Sequence, residues 1–325
     1  MRIAVIGAGA VGGAIAARLV GSGFEVEVTA RGAHLAAIRV GGIRLRGKWG
    51  SIDSAVTASV KLSKRPDFAI VTTKAHDAEA AMLANAAMLR GVPVLVIQNG
   101  LEAIESGRLA LPESAVCGGL AVFAASYLSP GEVTVTASGP TFIGGDGAVE
   151  AARILGAAIA VDLVSDFEGA QWTKLFVNQV NALPAITGMS AQATIRSQPL
   201  RRMLVDSMHE TVRVGVASGV HFASLSGLSH PLLRFFAAAP WWIAQLVPLL
   251  MARRMGPVAN PGSTLQSITR GQVSEIDYLN GAVVKAGAAV GVATPVNARF
   301  VELVHEVERT GEFVALAELT APRGS

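Results

Sequence analysis

Apolar runs and helical patterns alternate along the first half of the chain. Four of the runs, 2–7, 24–29, 68–73 and 93–97, predict strands. Strands that are apolar over most of their length are usual in parallel sheets covered on both faces. The pattern therefore predicts an α/β fold with a doubly wound sheet of the Rossmann type.

Shorter runs predict further strands. Residues 43–46 and the following turn, Gly47-Lys-Trp-Gly50, predict a hairpin at the sheet edge. Runs at 115–123, 133–136 and 141–143 are separated by glycines and predict antiparallel strands that extend the sheet. A helix over 147–159 and a strand over 161–165 complete this half.

From Glu168 onward the pattern becomes helical. We therefore predict a Rossmann domain over 1–166 and an all-helical domain over 167–325. Such sheets bind ligands beyond the carboxyl ends of their strands, so we expect the site in a crevice between the domains. The predicted helices are 168–188, 198–219, 231–252, 263–271, 275–291 and 295–309.

Residues 235–251 are almost wholly apolar and are followed by two arginines. The run is short for a membrane-spanning helix, which needs about 20 residues, and Pro240, Gln245 and Pro248 interrupt it. We expect no transmembrane helix here. A buried helix pair, a dimer face and a cap over the active site are the alternatives that stay open.

Composition and charge limit the class of protein. Hydrophobic residues make up 51% of the chain and charged residues 16%, which excludes disorder. The net charge is +3, and no run of Lys or Arg exceeds two residues, which argues against a nucleic-acid surface. Cys117, the single cysteine, cannot form an internal disulfide. We expect it in the core of a cytoplasmic protein that has no signal peptide and binds no metal.

A glycine motif near the start of the chain carries the first chemical signal. Strand 2–7 runs into Gly7-x-Gly9-x-x-Gly12, and a helical pattern follows. The glycines provide a tight turn, room for a pyrophosphate beside the backbone, and close helix–strand packing, while the helix amino terminus attracts phosphate. We predict a dinucleotide site that includes Gly7, Ala8, Gly9, Ala10, Val11 and Gly12.

The tip of the second strand indicates which dinucleotide binds. In NAD enzymes an acidic residue near this point holds the ribose 2′-hydroxyl, whereas this chain has Arg31. A guanidinium binds a 2′-phosphate through two parallel hydrogen bonds. Arg31 therefore predicts NADPH, with its oxidised form NADP, as the cofactor.

Polar residues in apolar surroundings mark further candidate positions. Lys74 and Asn99 follow the third and fourth strands, at the edge where the cofactor is expected. Lys174, Asn178 and Asn181 share one face of an otherwise apolar helix. Burying such groups without partners is costly. Either they hydrogen bond to neighbouring loops, or they form a row of donors for a polar substrate.

A last polar patch lies nearer the carboxyl terminus. The helix predicted to begin near Ser263 offers a hydroxyl and free amides for a carboxylate, and Asn260 precedes it. Ser263 can equally be a simple helix cap. Glu275 and Asp277 supply the negative charge that a buried Lys174 requires, or they cap the next helix.

With these motifs in this order, the chain resembles the ketopantoate reductase (2-dehydropantoate 2-reductase) family over nearly its full length. That family has an amino-terminal Rossmann domain and a helical carboxyl-terminal domain, with the active site between them. The resemblance rests on Gly7-x-Gly9-x-x-Gly12, Arg31, Lys74, Gln98-Asn99-Gly100, Lys174-x-x-x-Asn178, Asn260-x-x-Ser263 and Ser274-Glu-Ile-Asp-Tyr-Leu-Asn-Gly281.

The resemblance implies NADPH-dependent reduction of a 2-oxo acid to a 2-hydroxy acid, by default 2-dehydropantoate to pantoate for coenzyme A biosynthesis. Lys174 matches the general acid, and Glu275 matches the carboxylate that holds it and lies against the cofactor. Arg31 and Lys74 match contacts to cofactor phosphate. The family also suggests a homodimer. The matches to substrate-binding residues are Asn99, Asn178, Asn260 and Ser263.

Two departures leave the substrate open. The family's second helix asparagine lies eight residues after the lysine, where this chain has Ala182, and Asn181 is one residue early, about 100° away on a regular helix. Either a local helix distortion compensates, or the pocket differs. These departures, together with the apolar run at 235–251, leave two alternatives open. One is a paralogue that reduces a more hydrophobic 2-oxo acid, and the other is a sensor that binds NADP without catalysis.

Overall fold

The computed structural model describes residues 1–320 and contains two compact units. The first comprises Met1–Phe167 and the second begins at Glu168. The first unit is built from strands and helices and the second from helices. The predicted fold class is confirmed.

The first unit contains twelve strands and six helices. The strands are β1 (Arg2–Ile6), β2 (Glu25–Thr29), β3 (Ile43–Gly47), β4 (Ile52–Ser54), β5 (Thr57–Ser59), β6 (Phe68–Val71), β7 (Val94–Ile97), β8 (Val116–Ala121), β9 (Ala124–Ser129), β10 (Glu132–Ala137), β11 (Thr141–Gly145) and β12 (Val161–Leu163). The helices are α1 (Ala10–Gly21), α2 (Gly32–Gly41), α3 (Ala75–Ala84), α4 (Ala86–Leu89), α5 (Ala103–Ala110) and α6 (Ala148–Gly156).

The main sheet has eight strands in the order β12-β11-β8-β7-β6-β1-β2-β5. Neighbours pair in parallel except β8 and β11, which are antiparallel. On β1, Ile3 and Val5 face one hydrophobic core while Ala4 and Ile6 face the other. From β1 the chain goes to β2 on one side and later to β6 on the other. The switch point, where sheets of this kind bind ligands, therefore lies between β1 and β6.

The hairpin predicted at 43–50 is present, because β3 pairs antiparallel with β4, but it forms the edge of a second sheet, of order β4-β3-β10-β9, and not of the main sheet. Buried Ile43 and Leu45 alternate with exposed Arg44, which is typical of a sheet with one solvated face. This sheet packs on α1, where a Cβ at Gly13 would lie 2.9 Å from Val133. Of the glycine-separated runs, β11 extends the main sheet antiparallel as predicted, whereas β8 joins it in parallel and β10 joins the second sheet.

Helices form the second unit, and several of them differ from the predicted ones. The helix predicted over 168–188 is interrupted by a 3₁₀ turn at Gln179–Asn181, and the one predicted over 275–291 starts as a separate 3₁₀ turn at Ile276–Tyr278. The helices are α7 (Phe167–Asn178), α8 (Ala182–Thr187), α9 (Ala191–Arg196), α10 (Gln198–Ala217), α11 (His230–Ala238), α12 (Trp241–Ala244), α13 (Leu246–Arg254), α14 (Gly262–Thr269), α15 (Asn280–Val290), α16 (Pro295–Thr310) and α17 (Leu316–Thr320).

The apolar run is part of three short helices, α11 to α13, in place of the single predicted one. Pro240 disfavours helical backbone at the residue before it, and Ala239 is extended (φ −71°, ψ 139°). Phe235 and Trp242 keep 59% and 63% of their surface exposed, so a buried helix pair is wrong. No helix within residues 1–320 combines the length and the apolar composition needed to cross a membrane.

Cys117 lies in β8 and is buried, as predicted. Burial raises the pKa of its thiol to about 12. The thiolate form is therefore absent at neutral pH, and the residue fills the core without acting as a nucleophile.

Candidate active site

The glycine loop connects β1 to α1. Gly7 has a φ of +98°, and its N–H donates to Thr29 Oγ1 (3.0 Å). A Cβ at Gly12 would overlap the carbonyl oxygen of Gly7 and the hydroxyl of Thr72. Glycine is thus required at position 7 by the backbone conformation and at position 12 by the close approach of the helix to the strand ends.

Gly9 is explained differently, because a Cβ there would meet no atom within 4 Å. It is the N-cap of α1, with φ −66° and ψ −157°, and provides no side-chain cap. The first N–H groups of a helix have no partner within the helix and bind anions. Packing does not require glycine here, whereas a pyrophosphate laid against the backbone does. Gly9 and the amides of Ala10 and Val11 therefore fit a dinucleotide.

His34 holds this loop, although the sequence analysis did not select it. Its Nε2 lies 2.6 Å from the carbonyl oxygen of Ala8, and its Nδ1 accepts the N–H of Gly131 (3.0 Å). Because Nδ1 accepts, the proton sits on Nε2 and is donated to Ala8. Burial lowers the pKa of His34, against the smaller effect of the Ala8 bond. A neutral imidazole thus ties the glycine loop to the second sheet.

The other predicted cofactor residues lie at the carboxyl ends of neighbouring strands in the main sheet. Arg31 follows β2, Lys74 follows β6 and Asn99 follows β7. Gln98 donates to the carbonyl of Thr73 (3.0 Å), which links the ends of β6 and β7. Arg31 is exposed, and its side chain makes no hydrogen bond or ion pair with residues 1–320. It is therefore available to an anionic ligand.

In the second unit, Lys174 on α7 interacts electrostatically with Glu275. Burial lowers the pKa of Lys174 to about 8, although the negative charge of Glu275 acts to raise it. An amine with a pKa this close to neutrality can both hold and release a proton, as a general acid must. Asp277, the other candidate for this charge, lies against His305 instead (2.9 Å).

The 3₁₀ turn after α7 changes the position of Asn181. The backbone at Asn178 (φ −67°, ψ −13°) and at Asn181 (φ −85°, ψ −20°) has 3₁₀-like angles. A 3₁₀ turn advances about 120° per residue instead of 100°. Over three residues this rotates Asn181 by about 60°, onto the line of Asn178. The local distortion is therefore present, and Ala182 is fully buried (0% exposed).

The helix α14 begins at Gly262, and Ser263 is not its cap. Asn260 Oδ1 accepts the N–H of Gly262 (2.9 Å), and Gln192 Oε1 accepts the N–H of Asn260 (3.0 Å). The hydroxyl of exposed Ser263 makes no hydrogen bond to the part of the chain described, 1–320. A Cβ at Gly262 would lie 2.7 Å from Asn181 Oδ1, so Asn181 and the start of α14 are neighbours.

A network of fully buried polar side chains, which the sequence analysis missed, supports these elements. Gln179 Oε1, in the 3₁₀ turn, accepts hydrogen bonds from Asn280 Nδ2 (2.7 Å) and Ser207 Oγ (2.9 Å). Asn297 Oδ1 accepts from Asn280 Nδ2 (2.9 Å) and lies 3.0 Å from Ser207 Oγ, whose single proton is shared between the two amide oxygens. Asn280 is in the Ser274–Gly281 string. The network therefore joins the segment that carries Glu275 to the turn that carries Asn181.

A glycine loop that fits a dinucleotide, at the switch point of a largely parallel sheet, is typical of nicotinamide-dependent oxidoreductases. The family model described as "Ketopantoate reductase PanE/ApbA" matches residues 3–146, and its companion, "Ketopantoate reductase PanE/ApbA C terminal", matches 166–308. The chain belongs to the ketopantoate reductase family and is an oxidoreductase that acts on CH–OH groups.

Relatives cover nearly the whole chain. A 2-dehydropantoate 2-reductase of Pyrococcus horikoshii is 26% identical, over 96% of this chain and 99% of its own length. A crystal structure of a PanE/ApbA family ketopantoate reductase from Ralstonia eutropha is 31% identical, covers 95% of this chain and 99% of its own, and has a TM-score of 0.82. D-Mandelate dehydrogenase in complex with NADH, 22% identical over 95% of this chain and 99% of its own (TM-score 0.78), has the same fold.

Proposed function

We propose that this protein reduces a 2-oxo acid with NADPH, and that the substrate is 2-dehydropantoate and the product pantoate. The observation that carries the proposal is Lys174, whose pKa is about 8 and which interacts with Glu275. The names of the full-length relatives support the same substrate. The product would serve pantothenate and coenzyme A biosynthesis. The buried single cysteine supports a cytoplasmic location.

In the proposed mechanism the protein supplies the proton. When bound, NADPH supplies a hydride to the carbonyl carbon of the substrate. The carbonyl oxygen gains negative charge, and Lys174 Nζ donates a proton to it. The charge of Glu275 keeps Lys174 protonated near neutral pH. Burial then stabilises the neutral amine of Lys174 that remains. A proton from solvent converts it back to the ammonium form.

We assign the substrate groups to polar atoms of the second unit. Asn260 uses its Oδ1 to accept the N–H of Gly262, so its Nδ2 is the atom that can donate to a substrate oxygen. The hydroxyl of exposed Ser263 and the α14 amides that follow Gly262 suit a carboxylate. Asn178 and Asn181, now on one line, suit the carbonyl and the distal hydroxyl. In the first unit we assign Lys74 to cofactor phosphate and Asn99 to the nicotinamide side.

The initial rate of NADPH oxidation with 2-dehydropantoate, with NADH in parallel, tests the proposal. We expect turnover with NADPH and a kcat/KM at least about tenfold lower with NADH, the effect of one charge-assisted contact. Boiled enzyme and omission of the 2-oxo acid are the controls. Tight NADPH binding without turnover would reject 2-dehydropantoate as the substrate.

A second candidate is a reductase of a more hydrophobic 2-oxo acid. Ala182 stands where the family has its second helix asparagine, and it is buried and offers no polar atom to a substrate hydroxyl. Phe235 and Trp242 expose apolar surface on α11 and α12. A panel of 2-oxo acids with increasing apolar side chains, run in the same assay, separates the two candidates by kcat/KM. Absence of turnover throughout the panel would instead favour a sensor that binds NADP.

Arg31→Ala is expected to raise the KM for NADPH about 10- to 100-fold and to leave that for NADH unchanged. A charge-assisted hydrogen bond contributes about 1.5–3 kcal/mol, and only NADPH carries the 2′-phosphate. Steady-state kinetics with both cofactors measure the difference. Arg39→Ala is the matched control, because Arg39 lies on α2, the helix that Arg31 immediately precedes, and donates to the carbonyl of Ala58 instead. Equal losses with both cofactors would refute the assignment of Arg31.

A further inference from the structure

His305 ties the segment that carries Glu275 to α16. The N–H of Ser274 donates to Glu308 Oε1 (2.8 Å). His305 Nδ1 lies 2.9 Å from the other oxygen of Glu308, and His305 Nε2 lies 2.9 Å from Asp277 Oδ1. Ser274 and Asp277 stand on the two sides of Glu275. A single imidazole ring therefore connects both attachments of this segment.

Both ring nitrogens of His305 must donate for these contacts to form. A carboxylate oxygen only accepts, and a neutral imidazole has one N–H. The imidazolium satisfies both carboxylates, whereas the neutral ring turns a lone pair toward one of them. Burial acts to lower the pKa of His305, but the hydrogen bonds to Glu308 and Asp277 outweigh it and raise the pKa above its usual value.

Charged residues also lie near His305 on α16 itself, among them Glu306 and Arg309, and on the elements packed against it. The helix α16 packs against α8, α10, α15 and the 3₁₀ turn that carries Asp277. The helix α8 has no charged residue, and Lys285 is the one charged residue of α15. Glu210 of α10 binds the first turn of α16, away from His305. One turn before His305, Glu302 pairs with Arg299.

We infer that His305 is a positioning residue for Glu275. Protonated His305 holds the segment from Ser274 to Asp277 against α16 and so keeps the Glu275 carboxylate near Lys174. The neutral ring releases one of the two attachments, and Glu275 is then held less firmly. The inference rests on the proposed role of Lys174 as the acid, although the contact exists whatever the substrate is.

The sign of the pH effect follows from the protonation of His305. Its pKa is higher in the folded protein than in the unfolded chain. The contact therefore contributes fully to stability below about pH 6.5, the usual value for histidine, and is lost as the pH rises through the folded value. The difference in thermal stability between wild type and His305→Gln should become smaller as the pH rises through the pKa of His305 in the folded protein.

The first test reads the pKa of Lys174 without substrate. In protein labelled with ¹³C-lysine, NMR follows the ε-methylene signals of the lysines against pH, and Lys174→Arg identifies the relevant signal. We expect His305→Gln to lower the pKa of Lys174 by about one unit, the smaller end of what an adjacent opposite charge contributes. Glu275→Gln should lower it at least as far. The matched control, Glu302→Gln, should leave it unchanged.

An unchanged pKa of Lys174 in His305→Gln overturns the inference. If that variant does not fold, Asp277→Asn takes its place, because it removes one of the two attachments and keeps the imidazole contact with Glu308. The expected shift then has the same direction and a smaller size. A pKa of Lys174 that stays at the wild-type value in this variant also overturns the inference.

The second test uses turnover. His305→Gln should lower kcat about tenfold, less than the about 100-fold that a 1 Å misplacement can cost, and change the KM for the 2-oxo acid less than twofold. A loss through KM alone would reject a positioning role. The two proposals fail separately. Absence of wild-type turnover rejects the proposed function and leaves the NMR result valid, whereas full wild-type turnover with an unshifted Lys174 pKa in the variant rejects His305 alone.

Discussion

Replacing Lys174 with alanine is expected to lower kcat about 10²–10⁴-fold, the range that a positioned general acid contributes. The affinity for NADPH should persist, because the glycine loop and Arg31 belong to the first unit and Lys174 to the second. Stopped-flow rates and a fluorescence titration with NADPH measure the two quantities. Lys285→Ala is the matched control, since Lys285 is an exposed lysine of the same unit.

Lys174→Arg separates proton donation from positive charge. Arginine keeps the charge, but its pKa above about 12 prevents release of the proton, so the loss should approach that of alanine. In the wild type, kcat should be level at low pH and fall as the pH rises through about 8, because Lys174 then loses the proton that it must donate. Turnover that stays level to about pH 9.5 would contradict the assignment of the acid.

The central strands could be predicted because burial on both faces leaves continuous apolar runs, as in β1, β6 and β7. The second sheet could not be predicted in the same way. β3 pairs with β10, which lies far along the chain, and a short alternating strand does not specify its partner. The apolar alternation of Ile43 and Leu45 indicated a strand, but the pairing depends on how the chain packs over α1.

Helix interruptions were only partly visible in the sequence. The 3₁₀ turn at Gln179–Asn181 spans three residues, too few to change the apolar periodicity of its surroundings. Pro240 did carry a signal, because the residue before a proline avoids the helical region, and that signal should have divided the helix predicted over 231–252. Where local chemistry forbids a helix, sequence reasoning can locate the break; where packing selects the break, it cannot.

The candidate site shows the same division. Lys174 was selected because a lysine at an apolar helix position needs an explanation. Glu210 and Asn297 sit on amphipathic helices, where polar residues usually face solvent, and their burial depends on each other. His34 and His305 likewise gain their roles from partners on other elements. The sequence shows the chemistry of each residue by itself. A hydrogen-bond network depends on partners that only the fold brings together.

Glu210→Ala is expected to destabilise the second unit by about 3 kcal/mol. The buried carboxylate accepts the N–H groups of Val296 and Asn297 (both 2.9 Å) and Asn297 Nδ2 (2.7 Å). The two backbone N–H groups belong to the first turn of α16, and the N-cap residue of that helix, Thr294, provides no side-chain hydrogen bond. Glu210 therefore caps this helix from α10. Alanine leaves three donors without that acceptor, and each unsatisfied buried donor costs about 1–3 kcal/mol before relaxation.

Urea unfolding followed by tryptophan fluorescence measures this loss, because Trp172, Trp241 and Trp242 all lie in the second unit. Glu302→Ala is the matched control: it removes an exposed carboxylate of α16 that pairs with Arg299, and it should change the free energy of unfolding by less than about 0.5 kcal/mol. Glu210→Gln keeps one acceptor oxygen, so its loss should be intermediate. If Glu210→Ala costs less than about 1 kcal/mol, solvent must satisfy the first turn of α16, and the helix does not depend on α10 for its cap.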